Sequence, residues 1–186
     1  MRQKIFVLLQ LTALILLTFS SCNKVEDSLT RDVIVNPQSI EYTIPIISNT
    51  NSNAAMGEVN IPIDLDALIK DQAPGFGTNS VTSAKLTGIK IDLVDTLLTA
   101  NNFANLENIS VKIETASQTL NNAATLSNPD VKNGTLRIPV MVTDTDVKNV
   151  LKEAPVKFIL TGKARRVTTV TLKAKISTTF TVTVER

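Results

Sequence analysis

TTVTLKAKISTTFTVTV, residues 168–184, is the stretch of sequence that decides the fold. Seven of its nine even-numbered residues are apolar, whereas the odd-numbered residues are only Thr, Lys or Ser. This period-two alternation is typical of a β-strand with one buried face. Because 17 residues at ~3.3 Å each are unusually long for one straight strand, we expect a bend or a change of sheet at 177–179.

Shorter runs of the same alternation lie earlier in the chain, and they predict an all-β fold. They cover residues 40–46, 109–113, 136–142 and 156–160. Pro45, Pro62 and Pro139 each interrupt a strand-like run, and since proline lacks the backbone donor of a central strand, these strands are predicted to be sheet edges. Gly88, between out-of-phase apolar residues, predicts a β-bulge. Seven or eight antiparallel strands with one or two short helices indicate an immunoglobulin-like β-sandwich.

Two segments of the chain repeat one plan. VNIPIDLDALIKDQAP (59–74) and LRIPVMVTDTDVKNVLKEAP (136–155) each contain Ile-Pro, Asp-x-Asp, a helical stretch and Ala-Pro, and Leu-Thr-Gly follows both. We interpret them as two strand–helix–strand units placed pseudo-symmetrically in the sandwich. The alternative is chance, because proline at strand ends and aspartate at helix starts recur for physical reasons.

The paired aspartates in these segments have the spacing of metal ligands. They are Asp64 with Asp66 and Asp144 with Asp146. Calcium needs six to eight oxygen ligands, which two carboxylates do not supply, whereas a position directly before a helix suits an N-cap. We therefore assign these residues to capping and predict no metal and no cofactor.

The first residues indicate export. MRQK carries two positive charges, and an apolar run follows that is shorter than the ~20 residues of a membrane-spanning helix. The run ends at Ser20 and Ser21, directly before Cys22, the only cysteine of the chain. This arrangement resembles a lipobox, although Phe19 and Ser21 depart from the preferred Leu and Gly or Ala. The resemblance implies a signal peptide over 1–21 and a lipid, such as palmitate, on Cys22.

A lipidated tether over 22–32 and a single domain over 33–186 complete the predicted organisation. Lys24, Glu26 and Asp27 resemble the export signal of Bacteroidota surface lipoproteins, and the alternative is a plain charged tether. Asp27-Ser28-Leu29 and Asp95-Thr96-Leu97 resemble the sites at which Bacteroidota O-glycosylate exported proteins, which makes Ser28 and Thr96 candidate sites. We expect an outer-membrane protein anchored by lipid, facing either the cell surface or the periplasm.

The composition argues against several classes of function. The chain has no His and no Trp, so neither a histidine-based catalytic triad nor a histidine-ligated zinc site is available. Removal of residues 1–21 leaves 17 basic and 17 acidic residues, and the aromatic residues of the basic C-terminal part, Phe158 and Phe180, fall on predicted buried faces, where they are not available for nucleic-acid stacking. We predict that the protein is not an enzyme and does not bind nucleic acid.

Phe76 is the candidate partner contact. It lies in the glycine-flanked segment Ala73-Pro74-Gly75-Phe76-Gly77, which can either display the ring or fold it back to close the end of the sandwich. The leading hypothesis is a non-enzymatic interaction or structural module, anchored to the membrane and in contact with other envelope proteins. The alternative is a binding protein for a lipid or another apolar small molecule, held between the sheets or under residues 73–80.

Overall fold

Nine antiparallel strands form two facing sheets in the computed structural model, which describes residues 29–94 and 100–186. The strands are β1 Arg31–Val35, β2 Ile40–Ile44, β3 Asn53–Ile61, β4 Val81–Leu93, β5 Leu106–Glu114, β6 Thr119–Ser127, β7 Thr135–Ile138, β8 Val156–Ala164 and β9 Leu172–Val184. The helices are α1 Leu65–Gln72 and α2 Asp144–Leu151, with 3₁₀ turns at Thr78–Ser80 and Phe103–Asn105. The predicted all-β sandwich with two short helices is confirmed.

The first sheet has the order β1-β9-β4-β7, and β2 follows β1 along the same edge of β9. The second sheet has the order β3-β8-β5-β6. The strand count exceeds seven or eight because the edge beside β9 is split in two, and Pro37, which has no backbone donor, lies in the interruption. β1 begins at Arg31, opposite Val184, two residues before the predicted domain boundary at 33.

The predictions for edge strands and for the bulge are confirmed. Pro45, Pro62 and Pro139 directly follow β2, β3 and β7, and all three strands lie at sheet edges. The register of β4 against β9 shifts between Leu86 and Gly88, which brings both Leu86 and Ile89 onto the buried face. The three prolines therefore mark edge strands, and Gly88 marks the bulge.

The last strand differs from its prediction in two respects. β9 begins at Leu172, and Thr168 instead exchanges hydrogen bonds with Ile47, whose N donates to the Thr168 hydroxyl at 2.8 Å and whose carbonyl accepts from Thr168 N at 3.0 Å. β9 also stays in one sheet throughout. At 177–179, where a bend or a change of sheet was expected, its partner on one side changes from β1 to β2.

The two predicted strand–helix–strand units occupy equivalent places in the sandwich. The first runs from edge strand β3 through α1 to inner strand β4, and the second runs from edge strand β7 through α2 to inner strand β8. Each unit changes sheets, so β3 pairs with β8 and β7 pairs with β4. The registers differ, because Ile61 lies opposite Val156 whereas its counterpart Ile138 lies opposite Ile89. The repeat is therefore one of topology and not of residue-by-residue pairing.

The two Asp-x-Asp segments have different roles. Asp64 is the N-cap of α1, and its carboxylate accepts a hydrogen bond from Ala67 N at 3.0 Å, as predicted. The capping prediction is wrong for Asp144, which lies inside the first turn of α2 after the N-cap residue Thr143. The Thr143 hydroxyl donates to the Asp146 carboxylate at 2.6 Å and caps no backbone N–H. The negative charges of Asp144 and Asp146 still interact favourably with the positive end of the α2 dipole.

Substitution of the two aspartates by alanine should separate their roles. We expect Asp64→Ala to lower the free energy of unfolding by about 0.5–2 kcal/mol because an N-cap bond is lost. Asp144→Ala should cost about 0–1 kcal/mol, because Asp144 forms only an exposed ion pair with Lys85 at 3.4 Å. Thermal unfolding in EDTA and in millimolar calcium measures both effects. A calcium-dependent rise in the wild-type midpoint that Asp144→Ala removes would instead identify Asp144 and Asp146 as metal ligands.

Candidate interaction surface

The two ends of the sandwich differ in chemistry. At one end, here called the helix end, β1 begins and β9 ends. The 3₁₀ turn before β4 lies at the same end, where Ser80 O accepts a hydrogen bond from Glu185 N. The opposite end, here called the loop end, is formed by Val94 directly after β4 and by the segments 45–52, 100–105, 128–134 and 165–171. The 13 residues of β9 separate the two ends by about 40 Å, at ~3.3 Å per residue. The loop end therefore lies on the far side of the domain from the N-terminal segment.

Buried asparagines join the segments of the loop end. They are Asn101, Asn102, Asn105 and Asn128. The Asn105 side-chain amide donates to the carbonyls of Ala100 and Val167, at 3.0 and 3.1 Å. The Asn128 side-chain amide donates to Phe103 O at 2.7 Å and to Leu106 O at 3.0 Å. Because buried amides that satisfy backbone carbonyls hold loops in one conformation, this end of the domain has a rigid base.

Two arginines complete the polar network. Arg165 donates to the carbonyls of Ala104, Leu106 and Asn128 at 2.9–3.1 Å. Arg166 forms a two-point ion pair with Asp130 and also donates to Ala104 O at 3.0 Å. Hydrogen bonding from Arg166 holds the pKa of the Asp130 carboxyl below its usual value. Arg165 is thus committed to the scaffold, and Arg166 carries charge at its surface.

Exposed apolar side chains are concentrated on this base. Of the eight large apolar residues that are exposed in the described part of the chain, five lie at the loop end. They are Ile46, Val94, Val131, Val167 and Val170. Arg166 hydrogen-bonds to Asp130, and Val131 and Val167 are the next residues of the two loops. This bond therefore also fixes the positions of the two valines. Apolar groups held in place among polar ones are typical of a protein-binding surface.

Phe76, the predicted partner contact, is not displayed. Its side chain is 8% exposed and belongs to the hydrophobic core, and the Arg186 guanidinium lies 5.8 Å from the ring centroid. The ring folds back over the helix end because Gly75 adopts a φ of +93°, which a glycine takes without strain. Phe103, in the 3₁₀ turn before β5, is fully buried. Phe76 is therefore no longer a candidate for partner contact.

The other predicted site residues, Cys22, Ser28 and Thr96, lie outside the described residues, and their assignments stay predictions. The asparagine network was not predicted from the sequence. The high density of asparagine in residues 101–108 is the signal that could have indicated buried amides there. Residues 29–94 and 100–186 contain no group of three His, Cys, Asp or Glu that could hold a metal. Within the same ranges, no helix has the length and apolarity to cross a membrane.

No protein-family profile matches the chain, and no curated protein matches it. Among solved structures, the chain is similar to a chain of the "Acidic stable capsid structure of Helicobacter pylori bacteriophage KHP30", with 11% sequence identity and a TM-score of 0.34. The similarity covers 85% of this chain and 100% of that chain. At this TM-score it carries no argument about the function of the protein described here.

Proposed function

We propose that the protein is a lipid-anchored, non-enzymatic module of the cell envelope that binds another envelope protein through its loop end. The observation that carries the proposal is the set of five exposed apolar residues at the loop end, where buried asparagines and Arg165 hold the segments 100–105, 128–134 and 165–171 together. These residues lie at the end of the sandwich opposite the point where the chain enters from the tether. A domain anchored through Cys22 would therefore present its loop end away from the membrane.

The anchor is tested by replacing the acceptor of the lipid. We expect Cys22→Ala to abolish labelling with a palmitate analogue and to release the protein from the membrane fraction, because no other thiol is available. Ser21→Ala is the matched control, since it brings the neighbouring position closer to the lipobox preference and should keep the label. Retention of the label and of the detergent-phase partitioning by Cys22→Ala would show that the chain is not a lipoprotein.

The binding surface is tested by photocrosslinking in the membrane-anchored protein. A photoreactive residue at Val131, which is 62% exposed, should form adducts with a partner protein. The control position is Ile34 on β1 near the helix end, which is 54% exposed and should give none. Val167→Asp should remove the adduct formed from position 131, since a charge at the centre of an apolar contact weakens it. Equal adducts from positions 131 and 34 would contradict the assignment of the loop end.

Binding of an apolar small molecule is the second candidate function, and one groove favours it. This groove of about 640 Å³ lies beside α1 and the 3₁₀ turn at Thr78, and most of its lining is apolar. The apolar lining residues are Pro62, Ile63, Leu65, Leu151, Ala154 and Pro155. Its size is within the range of ligand pockets. Native mass spectrometry of a form lacking residues 1–22 should show a co-purifying ligand if this function holds, and no added mass if it does not.

A further inference from the structure

A second groove lies on the outer face of the first sheet, where β4 carries its bulge. It has a volume of about 380 Å³, and its polar lining comes from Thr87, Lys90, Arg137, Ser177 and Thr179, with Gly88 among the lining residues. Gly88 leaves it open, because a Cβ at this position would meet only the Thr179 Cβ, at 3.9 Å. We call this space the bulge groove. Its volume is near the lower end of the range for small-molecule sites.

Two positively charged residues of the bulge groove face each other on neighbouring strands, an arrangement that does not stabilise the sheet. Ser177, Lys90 and Arg137 lie side by side across β9, β4 and β7. Lys90 and Arg137 are therefore directly opposite each other, and like charges at such positions destabilise a sheet. Ser39 hydrogen-bonds to Ser177 at 2.8 Å at the other end of the row, so the row contains no carboxylate. Residues that break a local rule of this kind are expected at functional sites.

The neighbouring row shows what a charge-balanced arrangement looks like on the same face. It contains Glu41, Lys175 and Asp92 on β2, β9 and β4, and their charges alternate. Asp92 also binds Lys90 Nζ at 2.8 Å and accepts from the Thr135 hydroxyl at 2.7 Å. Partial burial acts to raise the pKa of Asp92, but these hydrogen bonds outweigh it and hold the pKa below its usual value.

Asp92 therefore pairs with Lys90 and also attracts Arg137 through its charge, but both of its oxygens are already hydrogen-bonded, to Lys90 and Thr135. The Arg137 side chain is exposed and has no hydrogen-bonded acceptor within residues 29–94 and 100–186. A guanidinium binds phosphate, sulfate and carboxylate groups through two parallel hydrogen bonds. The unused donors of Arg137 face a groove whose other polar groups are an ammonium and hydroxyls, all of which donate to anions.

We propose that the bulge groove binds an oxyanion, a phosphate, sulfate or carboxylate, carried on a ligand the size of a sugar. Arg137 supplies the two-point contact, Lys90 supplies a second positive charge, and the hydroxyls of Ser177 and Thr179 donate to the remaining oxygens. The bound anion relieves the repulsion between Lys90 and Arg137. This site is independent of the loop end, because the groove lies on the outer face of the sheet and shares no residue with the loop-end segments.

Titration of the full-length chain in non-ionic detergent tests the site, with sulfate, phosphate and glucuronate as probes at constant ionic strength. We expect saturable shifts of the Gly88 amide and the Arg137 side-chain NMR signals. Arg137→Gln should weaken binding about tenfold, the effect of losing a charge-assisted contact, whereas Lys175→Gln in the balanced row should change it less than about twofold. A response to glucuronate alone supports a carboxylate site, and a response to sulfate or phosphate supports a site for their esters.

Gly88→Val gives an independent test that leaves every charge in place. The Cβ of the valine would meet only the Thr179 Cβ, at 3.9 Å, and its methyl groups should occupy the floor of the groove, so we expect the shifts of the Arg137 signals to be abolished while the melting temperature stays close to that of the wild type. The proposal is overturned if none of the three anions produces a saturable shift at tens of millimolar. It is also overturned if Lys175→Gln weakens binding as much as Arg137→Gln, because the anion then senses only the general charge of the face.

Discussion

Val182→Asp is expected to unfold the domain, whereas Thr181→Asp, one residue earlier, should leave its melting temperature almost unchanged. The Val182 side chain is completely buried, between Val33 on β1 and Ala84 on β4. An unpaired carboxylate there costs about 3–5 kcal/mol, which is comparable with the total stability of many domains of this size. Thr181 lies on the outer face opposite Lys85, where an aspartate is solvated and gains a favourable neighbour.

The measurement is thermal or denaturant unfolding of both variants followed by circular dichroism. Thr181 is half-buried on the outer face, and Thr181→Asp should change the free energy of unfolding by about 0.5 kcal/mol or less, as is usual for surface substitutions. Because the side chains of a strand alternate between faces, a shift of register by one residue would exchange the two results. Equal losses of stability from the two substitutions would contradict the register of β9.

Gly162→Ala is the second substitution with a large expected effect. A Cβ on Gly162 would lie 2.2 Å from the backbone oxygen of Asn108 and 2.6 Å from Met56 Cε. The Asn108 oxygen cannot move away easily, because Asn108 belongs to β5, which pairs with β8 on one side and β6 on the other. Overpacking at such a contact costs about 1–3 kcal/mol or more, so we expect a large drop in the midpoint of denaturant unfolding.

Gly88→Ala is the matched control, since Gly88 and Gly162 end the same Leu-Thr-Gly sequence in the two repeated units. At Gly88 the nearest heavy atom would be 3.9 Å from the new Cβ, an ordinary contact, and the reduced freedom of the unfolded chain should make the change neutral or slightly stabilising. A similar midpoint for the two variants would show that β5 and β8 do not approach as closely as described.

Features that depend on neighbouring residues could be predicted from the sequence. The alternation of residues 172–184 identifies the buried face of β9, and proline marks three edge strands because it lacks a donor wherever it stands. The bulge at Gly88 was predictable for the same reason, since a phase change between Leu86 and Ile89 must be absorbed locally. Each of these signals is contained in a few consecutive residues.

Features that depend on distant partners could not be predicted. Phe76 packs into the hydrophobic core and lies beside Arg186, which is far away in sequence, so a loop that looks suited to display is folded back against residues that local patterns do not reveal. Arg165 donates to Ala104, 61 residues earlier, and the loop-end network consists of many such bonds to backbone carbonyls. Asp144 failed as a cap because the helix begins one residue earlier than its composition indicates.

The position of β9 in the first sheet has a consequence for the order in which the chain acquires structure. β9 is the last of the nine strands described, yet it is the strand on which β1, β2 and β4 all align, and Asp32 and Thr183 meet across 151 residues. The first sheet therefore has no centre until residues 172–184 have been synthesised, and contacts of such long range are made slowly. If the chain is an exported lipoprotein, as we propose, its first sheet would stay unfinished until β9 has followed the earlier strands across the membrane.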